Sequence, residues 1–344
     1  MYIIIAILLF GVLIAVHEFG HFIVAKLCGV RVFEFAIGMG PKILTIKQGK
    51  ETLYTWRALP IGGFCAMDED SSSDDPRAFT NQKAWKRAAI LLAGSFMNLL
   101  FGFLLVMLLA PSMFPSGHWT PEVTKVLDDS KFEVGDVIQK IDGERIHSAS
   151  DVIFFLNWHG PQHDIVVKRD GQIVEFTIDK NVLDHKDGEL RYGLTLDKHE
   201  TGFGGVLKAA WYQYTGYVRL VRLSLAELFS GAVGLGDLSG PVGIVSFINE
   251  TGQQAENVGS ALISISSFGA FIAINLAVMN LLPIPALDGG RIFFLIITQI
   301  VERISKRKLD PKYEGYIHGA MYVLLLGLMA FVMINDVLKI IRGG

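Results

Sequence analysis

Cysteine is scarce in this sequence of 344 residues, which contains two, Cys28 and Cys65. Two thiols cannot build a disulfide scaffold, so a small disulfide-stapled secreted fold is excluded. Charge is scarce as well, because 19% of the residues are Asp, Glu, Lys or Arg, against about 25% in soluble domains. The formal net charge of −3 leaves no basic surplus. We therefore expect no nucleic-acid partner.

Apolar residues are abundant where charged residues are few. They make up 51% of the chain, and the mean hydropathy is +0.41. A helix needs about 20 apolar residues to cross a bilayer. Four stretches meet that requirement, at residues 2–25, 88–117, 258–287 and 315–335. The sequence therefore predicts a polytopic α-helical protein with four transmembrane helices in the lipid bilayer.

The first apolar stretch has two interpretations, a cleaved signal peptide or a retained helix. No basic segment precedes it, and no small-x-small cleavage pattern follows it. Both features belong to signal peptides. We therefore interpret this stretch as a retained transmembrane helix.

Lys and Arg residues near the spans predict the orientation. Residues 26–87 contain ten of them and residues 303–312 contain five, whereas none precedes residue 26. Both basic connections should be cytoplasmic. We expect a multi-pass protein of the bacterial cytoplasmic membrane, with both termini and the segment between the second and third spans outside.

The connections between the spans contain further predicted structure. Residues 31–64 alternate short β-type runs with turns at 38–41 and 48–50, which predicts a membrane-associated β-hairpin loop. This loop either packs on the helices or offers a sheet edge to an extended peptide. Residues 120–200 alternate strands and turns, with a short helix over Ser150–Asn157 capped by Ser150, and predict one inserted α+β domain. Residues 204–235 predict an amphipathic helix on the outer surface or, alternatively, a buried helix of the soluble domain.

The predicted organisation has seven parts. They are the first span (1–27), the β-loop with an acidic linker (28–87), the second span (88–117), the α+β domain (118–200), an interfacial helical segment (201–257), the third span (258–304) and the fourth span (313–341).

A possible metal site lies inside the first span, where His17-Glu18-Phe19-Gly20-His21 has the pattern HExxH. Residues four apart share one face of a helix, so both imidazoles can bind one zinc ion while Glu18 reaches its water. Ionisable residues at membrane depth usually mark function. The alternative is a polar seam between helices without metal.

A catalytic zinc site normally has three protein ligands, and Asp288 is the predicted third. It ends a charge-free run of thirty residues, in the segment NLLPIPALDGG that begins at Asn280. Pro283 and Pro285 prevent a regular helix there, and broken backbone at membrane depth is tolerated where it lines a cavity. Asp288 could instead cap the following helix.

These two motifs together resemble the site-2 proteases, the intramembrane zinc metalloproteases of peptidase family M50. The segment from Phe132 to Ile146, with its Gly-Asp-x-Ile-x-x-Ile-Asp-Gly core, resembles a PDZ domain. A single PDZ-like domain between the spans is similar to the RseP/RasP branch. The resemblance covers essentially the whole chain.

The resemblance implies the roles of the site residues. His17, His21 and Asp288 should bind Zn²⁺, and Glu18 should be the general base. Asn280 should contact the substrate backbone, and we extend the substrate-binding expectation to four further residues, Gly38, Gly40, Pro283 and Pro285. The implied substrates are single-span membrane proteins, such as an anti-sigma factor or a leftover signal peptide.

Two other classes of protein are compatible with parts of this pattern. A zinc transporter would need ligands across both leaflets or a His-rich loop, and the sequence has neither. A non-catalytic PDZ-bearing membrane scaffold could lose Glu18 without structural cost, yet Glu18 is present. The protease is therefore the prediction that uses every feature of both motifs.

Overall fold

The computed structural model describes residues 1–69, 74–114, 118–126, 131–158, 162–179, 184–186, 189–191, 194–199, 202–231, 240–306 and 311–342. The Ser-rich part of the acidic linker, residues 70–73, and the end of the predicted amphipathic segment, residues 232–235, lie outside these ranges. The chain divides into two compact units, Met1–Leu105 with Tyr217–Gly344 and Val106–Gly216.

The helices are α1 (Tyr2–Leu27), α2 (Ala84–Met113), α3 (Ala149–Asn157), α4 (Phe203–Ser230), α5 (Pro241–Gln254), α6 (Val258–Asn280), α7 (Asp288–Ser305) and α8 (Pro311–Arg342). The strands are β1 (Val32–Gln48), β2 (Leu53–Met67), β3 (His118–Val126), β4 (Val137–Ile141), β5 (Glu144–Arg145), β6 (Gln162–Arg169), β7 (Gln172–Asp179), β8 (Asp184–Lys186), β9 (Glu189–Arg191) and β10 (Leu194–His199).

Four helices in the described part of the chain are long and apolar enough to cross a membrane. They are α1, α2, α6 and the Gly319–Lys339 part of α8. Their number agrees with the four apolar stretches of the sequence. Helix α2 begins at Ala84 and ends at Met113. Both ends are four residues earlier than those predicted for the second span, residues 88 and 117.

Helix α1 lies at the centre of the first unit. Ala6 packs with Ile248 of α5 and Ile265 of α6 in one buried cluster. Leu13 packs with Ile272 and Ala273 of α6 in another. These contacts hold one side of α1 against α5 and α6, and His17 and His21 further along the helix are 9% and 7% exposed.

The predicted β-loop forms a sheet of short paired runs within β1 and β2, in which residues 34–37 of β1 pair with residues 53–56 of β2 on one side and with residues 63–66 on the other. The predicted turn around Gly49 is confirmed, since its N–H donates to the Thr52 carbonyl at 2.9 Å. The predicted turn at residues 38–41 is confirmed, because the parts of β1 before and after it, residues 34–37 and 42–48, both pair with residues 53–57 of β2 and run past them in opposite directions. Gly38 and Gly40 have φ angles of +87° and +82° there. They lie between these two parts of β1, where Met39 is opposite Leu59.

The third predicted span is interrupted where the prolines predict a break. Helix α6 ends at Asn280, and α7 begins at Asp288. The seven residues between them turn back tightly, with the Ile284 N–H donating to the Leu282 carbonyl at 2.7 Å. Ala286 has a φ of +80°, which is rare for a residue with a side chain. The break thus places a short irregular segment before α7.

A buried carboxylate attaches α8 to α5. Asp336 on α8 is 3% exposed. It accepts hydrogen bonds from the N–H groups of Gly240, at 3.0 Å, and of Gly243, at 2.9 Å. These groups belong to the first turn of α5 and have no intrahelical partner, so the carboxylate caps that helix from a neighbouring one.

The second unit is an α+β module. Its larger sheet has the strand order β10-β3-β4-β6-β7, with β5 beside β4. Helix α3 starts one residue earlier than predicted, and its cap is Ser148 rather than Ser150, because Asp151 completes a capping box with Ser148. The likeness of this unit to a PDZ domain stays a prediction, and so does the membrane-surface position of α4.

Inside this sheet, a charged pair fixes the end of β6 against β4. Asp136 is fully buried, and Arg169 donates to both of its carboxylate oxygens at 2.8 Å. Burial alone would raise the pKa of Asp136, but the hydrogen bonds from Arg169 and from the Glu133 N–H hold it below the usual value. The charged form is therefore the one that the fold stabilises.

Candidate active site

Two imidazoles and one carboxylate converge inside the first unit. His17 and His21 lie one turn apart on α1, and their Nε2 atoms are 3.1 Å from each other. The Oδ2 atom of Asp288, at the start of α7, lies 3.1 Å from Nε2 of His17 and 3.2 Å from Nε2 of His21. The structure thus brings together the three residues that the sequence predicted as ligands.

Hydrogen bonding to His21 determines what these three atoms can bind. Its Nδ1 lies 2.7 Å from the Ile90 carbonyl oxygen, so Nδ1 carries the proton and the neutral ring directs a lone pair from Nε2. That lone pair faces another ring nitrogen and a carboxylate oxygen. When both rings are neutral with their Nε2 lone pairs directed inward, three acceptors so close together repel one another unless a cation lies between them.

The spacing of the three atoms also suits zinc. Ligand atoms about 2.0–2.2 Å from a tetrahedral zinc ion are about 3.3–3.6 Å apart. The separations of 3.1–3.2 Å are close to those values. Two imidazole nitrogens and one carboxylate oxygen are a known ligand set of catalytic zinc sites. The residues present therefore fit the metal.

Two glycines permit the close approach of α1 and α2 at this site. A Cβ atom on Gly20 would lie 2.3 Å from the Ala93 carbonyl oxygen of α2. A Cβ atom on Gly94 would lie 2.4 Å from Nε2 of His21 and 2.7 Å from Cε1 of His17. Neither distance is tolerable, so glycine is required on both helices for the imidazoles to reach each other.

Asp288 does not cap α7. The N-cap position is Leu287, and no side chain makes a capping hydrogen bond there. A Cβ atom on Gly289 would lie 2.3 Å from the Leu281 carbonyl oxygen, and one on Gly290 would lie 2.1 Å from that of Ile284. The two glycines let the preceding loop lie directly against α7, which directs the Asp288 carboxylate to the histidines.

Glu18 lies beside the three donor atoms and is held by the β-loop. Its Oε2 accepts a hydrogen bond from the Cys65 N–H of β2 at 3.1 Å. Burial raises the pKa of the Cys65 thiol to about 12, so this side chain carries no thiolate at neutral pH. The backbone of β2, rather than its thiol, is therefore what interacts with the acidic residue of HExxH.

One cavity of about 350 Å³ is lined by the three metal donors His17, His21 and Asp288 and by Glu18. Asn280, the predicted substrate contact, lines it as well. The sequence did not indicate the other lining residues. They are Ile14, Cys65, Met67, Glu69, Leu91, Asn98, Leu276, Ala286, Leu287 and Arg291. Most of them are apolar or common residue types with no motif of their own, and only the fold brings them together.

Four predicted substrate-binding residues do not line this cavity. Gly38 and Gly40 lie within the β1–β2 pairing, where a Cβ atom on Gly38 would meet the Leu59 carbonyl oxygen at 2.5 Å. Pro283 and Pro285 belong to the loop between α6 and α7. Their place in the structure indicates an effect on backbone shape, and a role in substrate binding stays a prediction.

Two imidazoles on a helix able to cross a membrane, which meet a carboxylate from another helix and lie beside a glutamate, are typical of a membrane-embedded metalloprotease. Residues 5–328 match the profile of Peptidase family M50. The chain belongs to this family, whose members are site-2 type zinc metalloproteases.

Similar proteins extend over nearly the full length of the chain. One from Clostridium acetobutylicum, named as a candidate zinc metalloprotease, is 39% identical, with 97% of both chains covered. One from Clostridium perfringens with the same kind of name is 36% identical, with 98% of this chain and 99% of that one covered. The Regulator of sigma-W protease RasP of Bacillus subtilis is 26% identical, with 97% of both chains covered.

Replacement of Gly94 by Ala should weaken metal binding, because the new methyl group displaces both imidazoles. We expect the zinc affinity to fall about 10–100-fold, as it does when ligand orientation is lost. The measurement is zinc content of the purified protein during titration with a chelator. Gly327→Ala is the matched control, because nothing lies within 4 Å of that Cβ position. Equal zinc retention in both variants would contradict the arrangement.

Proposed function

We propose that this protein hydrolyses peptide bonds within or near the transmembrane segments of single-span membrane proteins. The observation that carries the proposal is the cavity that contains His17, Glu18, His21 and Asp288 within a unit of membrane-spanning helices. Substrates of this class include an anti-sigma factor and a leftover signal peptide. The name of the Bacillus subtilis relative, Regulator of sigma-W protease, favours the first.

His17, His21 and Asp288 hold the zinc ion in this proposal. The bound ion supplies a water molecule of lowered pKa and a Lewis acid for the scissile carbonyl. Glu18 accepts a proton from the attacking water and delivers it to the leaving amine as the C–N bond breaks. Its hydrogen bond from Cys65 keeps the carboxylate directed into the cavity.

The roles of Glu18 and Asp288 can be separated by measuring zinc and cleavage together. Glu18→Gln should keep its zinc and lose about 10²–10⁴-fold in the rate of cleavage of a single-span substrate in proteoliposomes. Asp288→Asn should lose both zinc and activity. Glu250→Gln, an exposed change on α5, is the control. Cleavage by Glu18→Gln at the wild-type rate would refute the proposed base.

A further part of the proposal is that β2 receives the unwound substrate as an added strand. A helix must expose its N–H and C=O groups before attack, and each unpaired group in lipid costs several kcal/mol. Residues 63–67 pair with β1 on one side, while the Cys65 N–H on the other side points to Glu18. This second edge lies along the cavity, where Cys65 and Met67 are both lining residues.

Met67→Pro should test this edge. Alternation along a strand places the N–H of Met67 on the same side as that of Cys65, so proline removes a donor from the cavity side. We expect about a tenfold lower kcat/KM, the effect of losing one hydrogen bond, with unchanged zinc content. Met67→Leu keeps the N–H and should cleave normally. Normal turnover by the proline variant would contradict the strand-addition mechanism.

The orientation in the membrane is also part of the proposal. The basic residues of the connection from residue 26 to 87 favour a cytoplasmic β-loop and a site open toward the cytoplasm. The same rule puts both termini and the PDZ-like unit outside the cytoplasmic membrane.

Thiol labelling of intact cells tests this orientation. With Cys28 and Cys65 replaced by Ala, a membrane-impermeant maleimide should label Asp170→Cys in the turn after β6 directly. It should label Lys50→Cys, in the β1–β2 turn, only after the cells are permeabilised. The reverse pattern would invert the assignment.

A further inference from the structure

One polar side chain in the cavity has no role in the chemistry described so far. Asn98 lies on α2 and is 1% exposed. Neither its carboxamide nitrogen nor its oxygen has a hydrogen-bond partner among the described residues. The side chain lines the same cavity as Glu18 and Asn280.

An unpartnered buried carboxamide is unfavourable, and native proteins rarely keep one without a reason. Removing such a group from water without replacing its hydrogen bonds costs about 1–3 kcal/mol. An apolar residue at this position would avoid that cost. The fold tolerates the amide although the residues that the structure describes do not satisfy it, which indicates a partner that enters the cavity.

The position of Asn98 indicates what that partner is. Asn98 is four residues after Gly94, so both lie on the same face of α2. Gly94 is the residue against the rings of His17 and His21. The carboxamide is therefore about one helical turn, roughly 6 Å along the helix axis, from the glycine at the metal donors.

A neighbouring residue provides a matched comparison for Asn98. Ser95 on the same helix is also fully buried, and its hydroxyl also has no partner in the described part of the chain. Ser95 does not line the cavity. A comparison of the two residues separates the effect of facing the cavity from that of being a buried polar group on α2.

We propose that the Asn98 carboxamide binds the backbone of the unwound substrate next to the scissile bond. A carboxamide offers two donors and an acceptor, so it can pair with both the N–H and the C=O of an extended peptide. These groups lose their helical partners when the substrate unwinds. This inference rests on the proposed function and adds a substrate contact on α2, distinct from the edge of β2.

The experiment compares stability, binding and turnover in the full-length protein. Asn98→Leu, Asn98→Gln and Ser95→Ala are made in the active protein and in the Glu18→Gln background. Thermal unfolding gives Tm, and cleavage of a fluorescent single-span peptide in proteoliposomes gives kcat/KM. Anisotropy of the same peptide with the Glu18→Gln proteins gives Kd without turnover.

Asn98→Leu should have an equal or higher Tm, unchanged zinc content, and about a tenfold lower kcat/KM with weaker peptide binding. Asn98→Gln keeps the carboxamide and should recover part of the loss. Ser95→Ala should leave kcat/KM and Kd unchanged.

Three results would overturn the inference. They are an unchanged kcat/KM and Kd in Asn98→Leu, a lower Tm with loss of zinc in Asn98→Leu, and an equal loss of binding in Ser95→Ala. Failure of the proposed function has a different signature, which is no cleavage by the protein with native Glu18 at full zinc content. Even then, a Kd that does not depend on Asn98 would refute the substrate contact by itself.

Discussion

The structure depends on burying three hydrogen-bond acceptors against one another inside apolar surroundings. The lone pairs of His17, His21 and Asp288 would repel one another at separations of 3.1–3.2 Å. A cation bound between them removes this repulsion. Other features of the first unit serve this arrangement. Glycines allow α1 and α2 to approach, the Ile90 carbonyl orients one ring, and the break before α7 directs the carboxylate.

The sequence predicted the metal donors because their chemistry is unusual for their surroundings. Two histidines and a glutamate in an apolar helix have no common structural explanation, and a spacing of four places them on one face. Asp288 was predictable for a similar reason, as the acid that ends a charge-free run beside two prolines. In these places, local pattern and membrane physics determine the outcome.

Other parts could not be predicted, because they depend on tertiary contacts. Residues 34–37 of β1 lie between two parts of β2, at 53–56 and 63–66, and no local pattern specifies that pairing. Asn98 is an ordinary polar residue of the sequence, and only the fold shows that it faces the cavity with no hydrogen-bond partner in the described part of the chain. The role of Asp336 was equally hidden, because the residues that it caps, Gly240 and Gly243, are far away in the sequence.

The chain order of the donor atoms has a consequence for biosynthesis. His17 and His21 leave the ribosome early, whereas Asp288 follows only after the β-loop, the second span and the whole second unit. Because synthesis proceeds at about 5–20 residues per second, a nascent chain spends many seconds in the membrane with two of the three donors. A nascent chain that lacks Asp288 therefore cannot assemble the site. Neighbouring membrane proteins are not exposed to its activity before synthesis of the three donors is complete.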